Sequence, residues 1–217
     1  MKIAAVIPAR NEERTVDQVV AAARPVVDEV IVVDNGSTDR TGLVARRAGA
    51  VVVRHKEPGK GEAMAVGVAA TGAEVLVFLD ADVVGLTSDH VWALAQPVAD
   101  GRADMTRGVL SRGERLDKLT IGSLPLITGQ RAMRRDIFES LEPEHRRGFK
   151  PEAAMEALAK AYELRTTTVL LVGVEHRSKE RKWGVLPGLA ARGRMVAETG
   201  AMLAVAALIY RWRRSRR

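Results

Sequence analysis

Along the first hundred positions, apolar runs alternate with stretches whose apolar residues recur at helical spacing. Residues 2–7 form an apolar run closed by Pro8, which predicts a buried strand. Val16, Val19, Val20 and Ala23 then share one helix face, with Asn11 as the cap and Glu12 and Glu13 in the first turn. Val30 to Val33 reads as a second strand, followed by the turn Asp34-Asn35-Gly36-Ser37 and a helix from about Thr38 to Ala48, closed by Gly49. A third strand is expected over Ala50 to Val53, a helix over 61–70 and a fourth strand over Val75 to Leu79. Strands separated by helices of this length imply an α/β chain, with helices on both faces of a mostly parallel sheet.

The second half is less regular. Thr87 to Ala99 reads as a helix frayed by Pro97, and 103–110 as a strand. Helices are expected over Arg134–Leu141 and Glu152–Tyr162, and a strand over Thr167–Val174. Leu186 to Tyr210 reads as helical before the chain ends in arginines. No internal repeat or low-complexity linker divides the chain. At roughly 150 residues per domain, 217 residues fit one domain over 1–184 with a C-terminal helix and basic tail over 185–217.

Composition narrows the chemistry. Without cysteine there is no disulfide, thiolate metal site or cysteine nucleophile, which fits a cytoplasmic protein. The net charge of +7 falls to +2 without Arg211, Arg213, Arg214, Arg216 and Arg217. The basicity is therefore mostly a property of the tail, which argues against a nucleic-acid groove across the domain. No secretion signal is recognised. The longest apolar run, Ala201–Tyr210, is half of the roughly 20 residues a spanning helix needs. The C-terminal segment has two readings: a helix packed on the domain or in a homodimer, or an amphipathic anchor on an anionic membrane surface.

In a parallel sheet, ligands sit beyond the carboxyl ends of the strands. Three segments fall there: Pro8-Ala9-Arg10-Asn11-Glu12, Asp34 to Asp39, and Asp80-Ala81-Asp82. Two carboxylates flanking one small residue can hold a divalent cation together with phosphate oxygens. Lys60, in Gly59-Lys60-Gly61, is placed to reach a phosphate, and His176 after a late strand can complete a metal site. His55, His90 and His145 read as surface residues and the methionines as core; Trp183 and Trp212 flank the C-terminal helix region.

Taken together, the run Val6 to Glu13, the run Val33 to Thr41, the Gly-Lys-Gly segment and the D-x-D triplet resemble the family 2 glycosyltransferases and their retaining relatives, which share the GT-A nucleotide-sugar fold. His176 is similar to the late histidine of glucosyl-3-phosphoglycerate synthases. The resemblance spans roughly residues 1–183. It implies a metal-dependent hexosyltransferase using a nucleotide-diphosphate sugar with Mg²⁺ or Mn²⁺. In it, Pro8, Ala9, Arg10 and Glu12 line the pocket for base and ribose, Asp34 stands against the base, and Lys60, Asp80 and Ala81 contact the donor. Asp82 and His176 hold the metal, and Asp82 and Glu152 are the catalytic carboxylates. Gly129, Gln130 and Arg131 lie on the acceptor side, the glycine permitting close backbone approach. Arg134 and Arg135 are further candidates for an anionic acceptor, and Arg177 and Lys179 for neutralising the leaving diphosphate.

The acceptor stays open between a small phosphorylated or carboxylated molecule, such as 3-phosphoglycerate, and a polyprenyl phosphate. So does the stereochemical outcome. Two other functions compete. A sugar-phosphate nucleotidyltransferase would need a glycine-rich first loop, which Pro8–Glu12 is not. A non-catalytic nucleotide-sugar-binding protein would not need Asp82 and His176.

Overall fold

The computed structural model describes residues 1–57, 59–111, 128–146 and 151–177. The expected C-terminal helix over 186–210, the tail arginines, Trp183, Trp212 and Lys179 lie outside these residues. The readings of that segment as a membrane anchor or dimer contact therefore have no structural counterpart here. Among the described residues no helix is long and apolar enough to cross a membrane.

The chain opens with β1 (Ile3–Ala9), α1 (Val16–Ala23), β2 (Glu29–Asn35), α2 (Thr41–Arg47), β3 (Val51–His55), α3 (Lys60–Ala69) and β4 (Val75–Phe78). A two-residue strand β5 (Val83–Val84), α4 (Ser88–Ala99), β6 (Met105–Leu110), β7 (Arg131–Arg134) and α5 (Arg135–Glu139) follow. After a 3-10 turn at Pro143–Arg146 come α6 (Pro151–Ala161), β8 (Thr166–Leu171) and β9 (Glu175–His176). The main sheet has the order β3-β2-β1-β4-β7-β6-β8. All of its pairings are parallel except those of β7, which runs antiparallel to both neighbours.

The alternation of β1 side chains divides the core. Ile3, Ala5 and Ile7 join Val16, Val19 and Val20 of α1 and Leu94 and Val98 of α4 on one face. Val6 joins Met64 and Val68 of α3, Phe138 of α5, and Met155 and Leu158 of α6 on the other. Phe78 and Phe138 pack with tilted rings, 5.2 Å between centroids. A sheet covered on both faces accounts for the unbroken apolar runs of β1, β2 and β4.

Several boundaries differ from the sequence reading. Pro8 does not end β1, which pairs with β2 as far as Ala9–Asp34. Pairing with β4 stops at Val6–Phe78, so the proline, which lacks an N–H, has a neighbour on one side only. Asn11 does not cap α1. Its backbone is left-handed (φ 56°), and its side chain accepts from the Thr38 N–H at 2.8 Å, tying the first loop to the second. Thr38–Arg40 stay outside α2 as part of this seam. His90 stays half-exposed at the surface and joins Thr87, the N-cap, in a reciprocal capping box at the start of α4. His145 is buried.

Candidate active site

β1, β2 and β4 deliver their carboxyl ends to one rim, as the sequence reading requires. Pro8 and Ala9 close β1, with Arg10 exposed and Glu12 half-buried in the loop beyond. That loop is sewn to the one after β2. The Asn11 N–H donates to Ser37 Oγ (3.0 Å), Glu12 N–H to Thr41 Oγ1 (2.7 Å) and Glu13 N–H to Asp39 Oδ2 (3.2 Å). Asp34 is buried at the end of β2 and accepts from the Ser37 N–H at 3.1 Å. Next to it, Asn35 spends its amide donor on the Gly59 carbonyl (3.0 Å), which fixes the start of α3.

Lys60, the first residue of α3, lies between two carboxylates. Its Nζ is 2.6 Å from Asp80 Oδ1 and 2.6 Å from Glu152 Oε1. Burial works to lower its pKa, but the two carboxylates outweigh that and hold it above the ordinary lysine range. Gly61 makes this possible: a Cβ there would strike the Arg146 carbonyl and stand 2.8 Å from Pro151 Cγ, so only glycine lets α3 pass so close to α6. The Gly-Lys-Gly segment thus serves packing and charge pairing as well as any ligand.

Asp80 is restrained from a second side. Its N–H donates to Gln130 Oε1 at 3.1 Å, while Gln130 Nε2 donates to Asp80 Oδ2 at 3.1 Å. Gln130 is fully buried, and a Cβ at Gly129 would run into the Asp80 carboxylate.

Ala81 is buried, its carbonyl accepting from Thr15 Oγ1 (2.7 Å), and Asp82 turns outward to meet His176. The β5–β9 ladder brings them together: Val83 pairs with His176, and the Arg177 N–H donates to the Asp82 carbonyl at 2.8 Å. His176 Nδ1 then lies 3.2 Å from Asp82 Oδ1. The hydrogen bond to Asp82 raises the imidazole pKa, burial opposes it, and the charges of Asp80 and Asp82 add to the rise. One ligand atom each from Asp80, Asp82 and His176 lies within 4.8 Å of the others. Two carboxylate oxygens and one imidazole nitrogen suit a divalent cation of the Mg²⁺ or Mn²⁺ type.

The remaining predicted residues lie elsewhere. Arg131 is fully buried; its Nε and Nη2 donate to the Thr128 carbonyl (3.1 and 2.6 Å), and Nη1 faces Glu156 Oε1 at 3.5 Å. It does not reach the rim in this structure. Arg134 pairs with Asp136 and Asp104, and Arg135 with Glu139 and the carbonyls of Val68, Ala73 and Thr71. Both are occupied by the fold. Glu156, which the sequence reading passed over, is the common partner of Arg131 and Arg107. Its signal was the one-turn spacing from Glu152 on α6.

Comparison with known proteins shows the family and the fold. The family model described as glycosyl transferase family 2 matches residues 4–119. A glucosyl-3-phosphoglycerate synthase of Mycobacterium tuberculosis is 35% identical over 138 residues, 51% of this chain and 43% of that protein. The chain therefore spans less than half the length of this curated relative. Solved structures of the M. tuberculosis synthase superpose across 95% of this chain. Its complex with Mn²⁺, UDP-glucose and phosphoglyceric acid gives a TM-score of 0.78 at 28% identity over 79% of that chain. Its complex with Mg²⁺ and UDP gives 0.79 at 27% identity, again over 79%. The fold is GT-A.

Proposed function

The chain belongs to glycosyl transferase family 2, and we propose that it moves a hexosyl group from a uridine-diphosphate sugar to a small phosphorylated acceptor, with Mn²⁺ or Mg²⁺ as cofactor. The observation that carries this reading is the corner at the end of β4, where Asp80, Asp82 and His176 converge beside Lys60. The solved synthase complexes, which contain Mn²⁺ or Mg²⁺ with UDP or UDP-glucose and phosphoglyceric acid, support the donor, the cation and the acceptor class.

In this reading Pro8, Ala9, Arg10, Glu12 and Asp34 form the base and ribose pocket, held in shape by the seam between the first two loops. Asp82 and His176, with Asp80, hold the cation. When bound, it neutralises the charge that grows on the diphosphate as the sugar–phosphate bond breaks. Arg177, adjoining His176, adds positive charge beside that diphosphate. Lys60 lies 2.6 Å from both Asp80 and Glu152, which favour its ammonium form, so it is read as a positive charge beside the donor. Glu152 is read as the counter-charge that positions Lys60 rather than as a base, since it is buried and its Oε1 is taken by the ammonium.

The test is turnover by the purified chain. UDP-, GDP- and dTDP-glucose are each offered with 3-phosphoglycerate or a polyprenyl phosphate, with and without Mn²⁺. Transfer from UDP-glucose to 3-phosphoglycerate that stops on chelation is the expected result. Transfer only to the polyprenyl phosphate, or turnover indifferent to chelation, would overturn the reading.

A further inference from the structure

Gly129 and Gln130 sit at the entry to β7, and both meet one residue beyond the end of β4, Asp80. We propose that Gln130 is a positioning residue of the donor and cation corner, with Gly129 as the space that lets it act. This rests on the glycosyltransferase reading for its consequences in turnover, but not for its consequences in cation binding.

Asp80 follows Leu79 at the end of β4, where the sheet no longer dictates its backbone. Gln130 supplies what the sheet does not. Its Oε1 accepts the Asp80 N–H, and its Nε2 donates to Asp80 Oδ2, so one amide fixes both main chain and carboxylate. Lys60 holds the other carboxylate oxygen, Oδ1. The carboxylate plane is thus set by two donors, one at the start of α3 and one just before β7.

Gln130 is itself held. Its N–H donates to Thr128 Oγ1 at 3.2 Å, and its carbonyl accepts from the Gly108 N–H at 2.7 Å. Thr128 Oγ1 in turn donates to the Gly108 carbonyl at 2.6 Å, which anchors the turn to β6. Being fully buried, Gln130 offers no surface to an acceptor. An amide is also the side chain the position requires. A carboxylate there would keep the acceptor for the Asp80 N–H but set two anions against each other at Oδ2; an apolar side chain would satisfy neither group.

The experiment compares the full chain with Gln130→Glu and Gln130→Met, first confirming folding by thermal unfolding and far-UV circular dichroism. Mn²⁺ affinity is measured by calorimetry without nucleotide, and acceptor KM, donor KM and kcat are measured separately. Should both variants unfold, Gln130→Asn, which shortens the side chain but keeps its charge and amide, enters the same comparison. The expected result is a loss of Mn²⁺ affinity of tenfold or more and a raised donor KM, with acceptor KM within twofold of the parent. Unchanged Mn²⁺ affinity in a folded variant, or an effect confined to acceptor KM, would overturn the proposal. If the parent binds Mn²⁺ but transfers no sugar, the functional reading fails, while the calorimetry still decides the role of Gln130.

Discussion

Lys60 and Glu152 meet at 2.6 Å across the junction of α3 and α6, and the same ammonium lies 2.6 Å from Asp80. One ammonium thereby joins the start of α3, the start of α6 and the strand end that bears the D-x-D triplet. α6 carries a second glutamate one turn later, and Glu156 answers Arg131 and Arg107. The charges beneath the rim are paired before any ligand arrives.

Replacing Lys60 with Met leaves two carboxylates facing each other without their cation. Breaking a buried pair costs about 3 to 5 kcal/mol. Lys60 keeps 24% of its side chain exposed, so about 2 to 3 kcal/mol is expected, read as a lower urea midpoint. A midpoint equal to that of the parent would show the pairing to be idle.

Glu152→Gln separates two roles. Loss of a general base costs roughly 10² to 10⁴-fold in rate. As a counter-charge, Glu152 should cost less than about tenfold in kcat, because a glutamine still accepts from Lys60 and Asp80 remains its ionic partner. Steady-state kinetics on the folded variant distinguish the two.

The loop that sets His176 against Asp82 depends on Gly85, which has φ 78° and where a Cβ would strike the Gly173 carbonyl. Gly85→Ala should move β9 and weaken Mn²⁺ binding. Gly101→Ala supplies the control: its φ is 70°, but a Cβ there meets nothing within 4 Å. That variant should show only the left-handed penalty of about 1 to 2 kcal/mol, with Mn²⁺ affinity unchanged. Calorimetry on both proteins reads the difference.

Far from the rim, Asp104 accepts from the Arg165 backbone N–H at 2.9 Å and from its guanidinium at 2.9 and 3.1 Å. These hydrogen bonds hold its pKa below the ordinary carboxylate value, with burial opposing and the charges of Arg165 and Arg134 adding to the depression. Its stabilising contribution is therefore complete above the unfolded pKa, about 3.9, and is lost as pH falls through the lower folded value. Denaturation midpoints of the parent and Asp104→Asn should differ at pH 6, begin to approach each other only below about pH 4, and meet once the pH is below the lowered folded pKa. A gap that persists at low pH would contradict this.

Much of the first half was legible because β1, β2 and β4 are buried on both faces and read as apolar runs, and because their ends carry the polar segments in order. Asp82 and His176 stand out by residue type and position as a candidate pair for a cation, whereas Asp80 reads as a donor contact, and only the structure brings it within 4.8 Å of the other two. The partners of Lys60 were not, since Asp80 and Glu152 reach it from distant parts of the chain and the Gly-Lys-Gly spelling suggests a phosphate instead. β7 was hidden by its two arginines, Arg131 being buried against Glu156, and β9 by its length of two residues. Arg131 looked like an acceptor ligand because sequence shows its charge but not the carboxylate that faces it.

The most direct test is anomalous diffraction at the manganese edge from crystals soaked with MnCl₂ and UDP-glucose. The account predicts one strong peak within coordination distance of Asp82 and His176, touching the donor diphosphate. A manganese peak elsewhere with donor density in place, or donor bound with no metal at that corner, would contradict it.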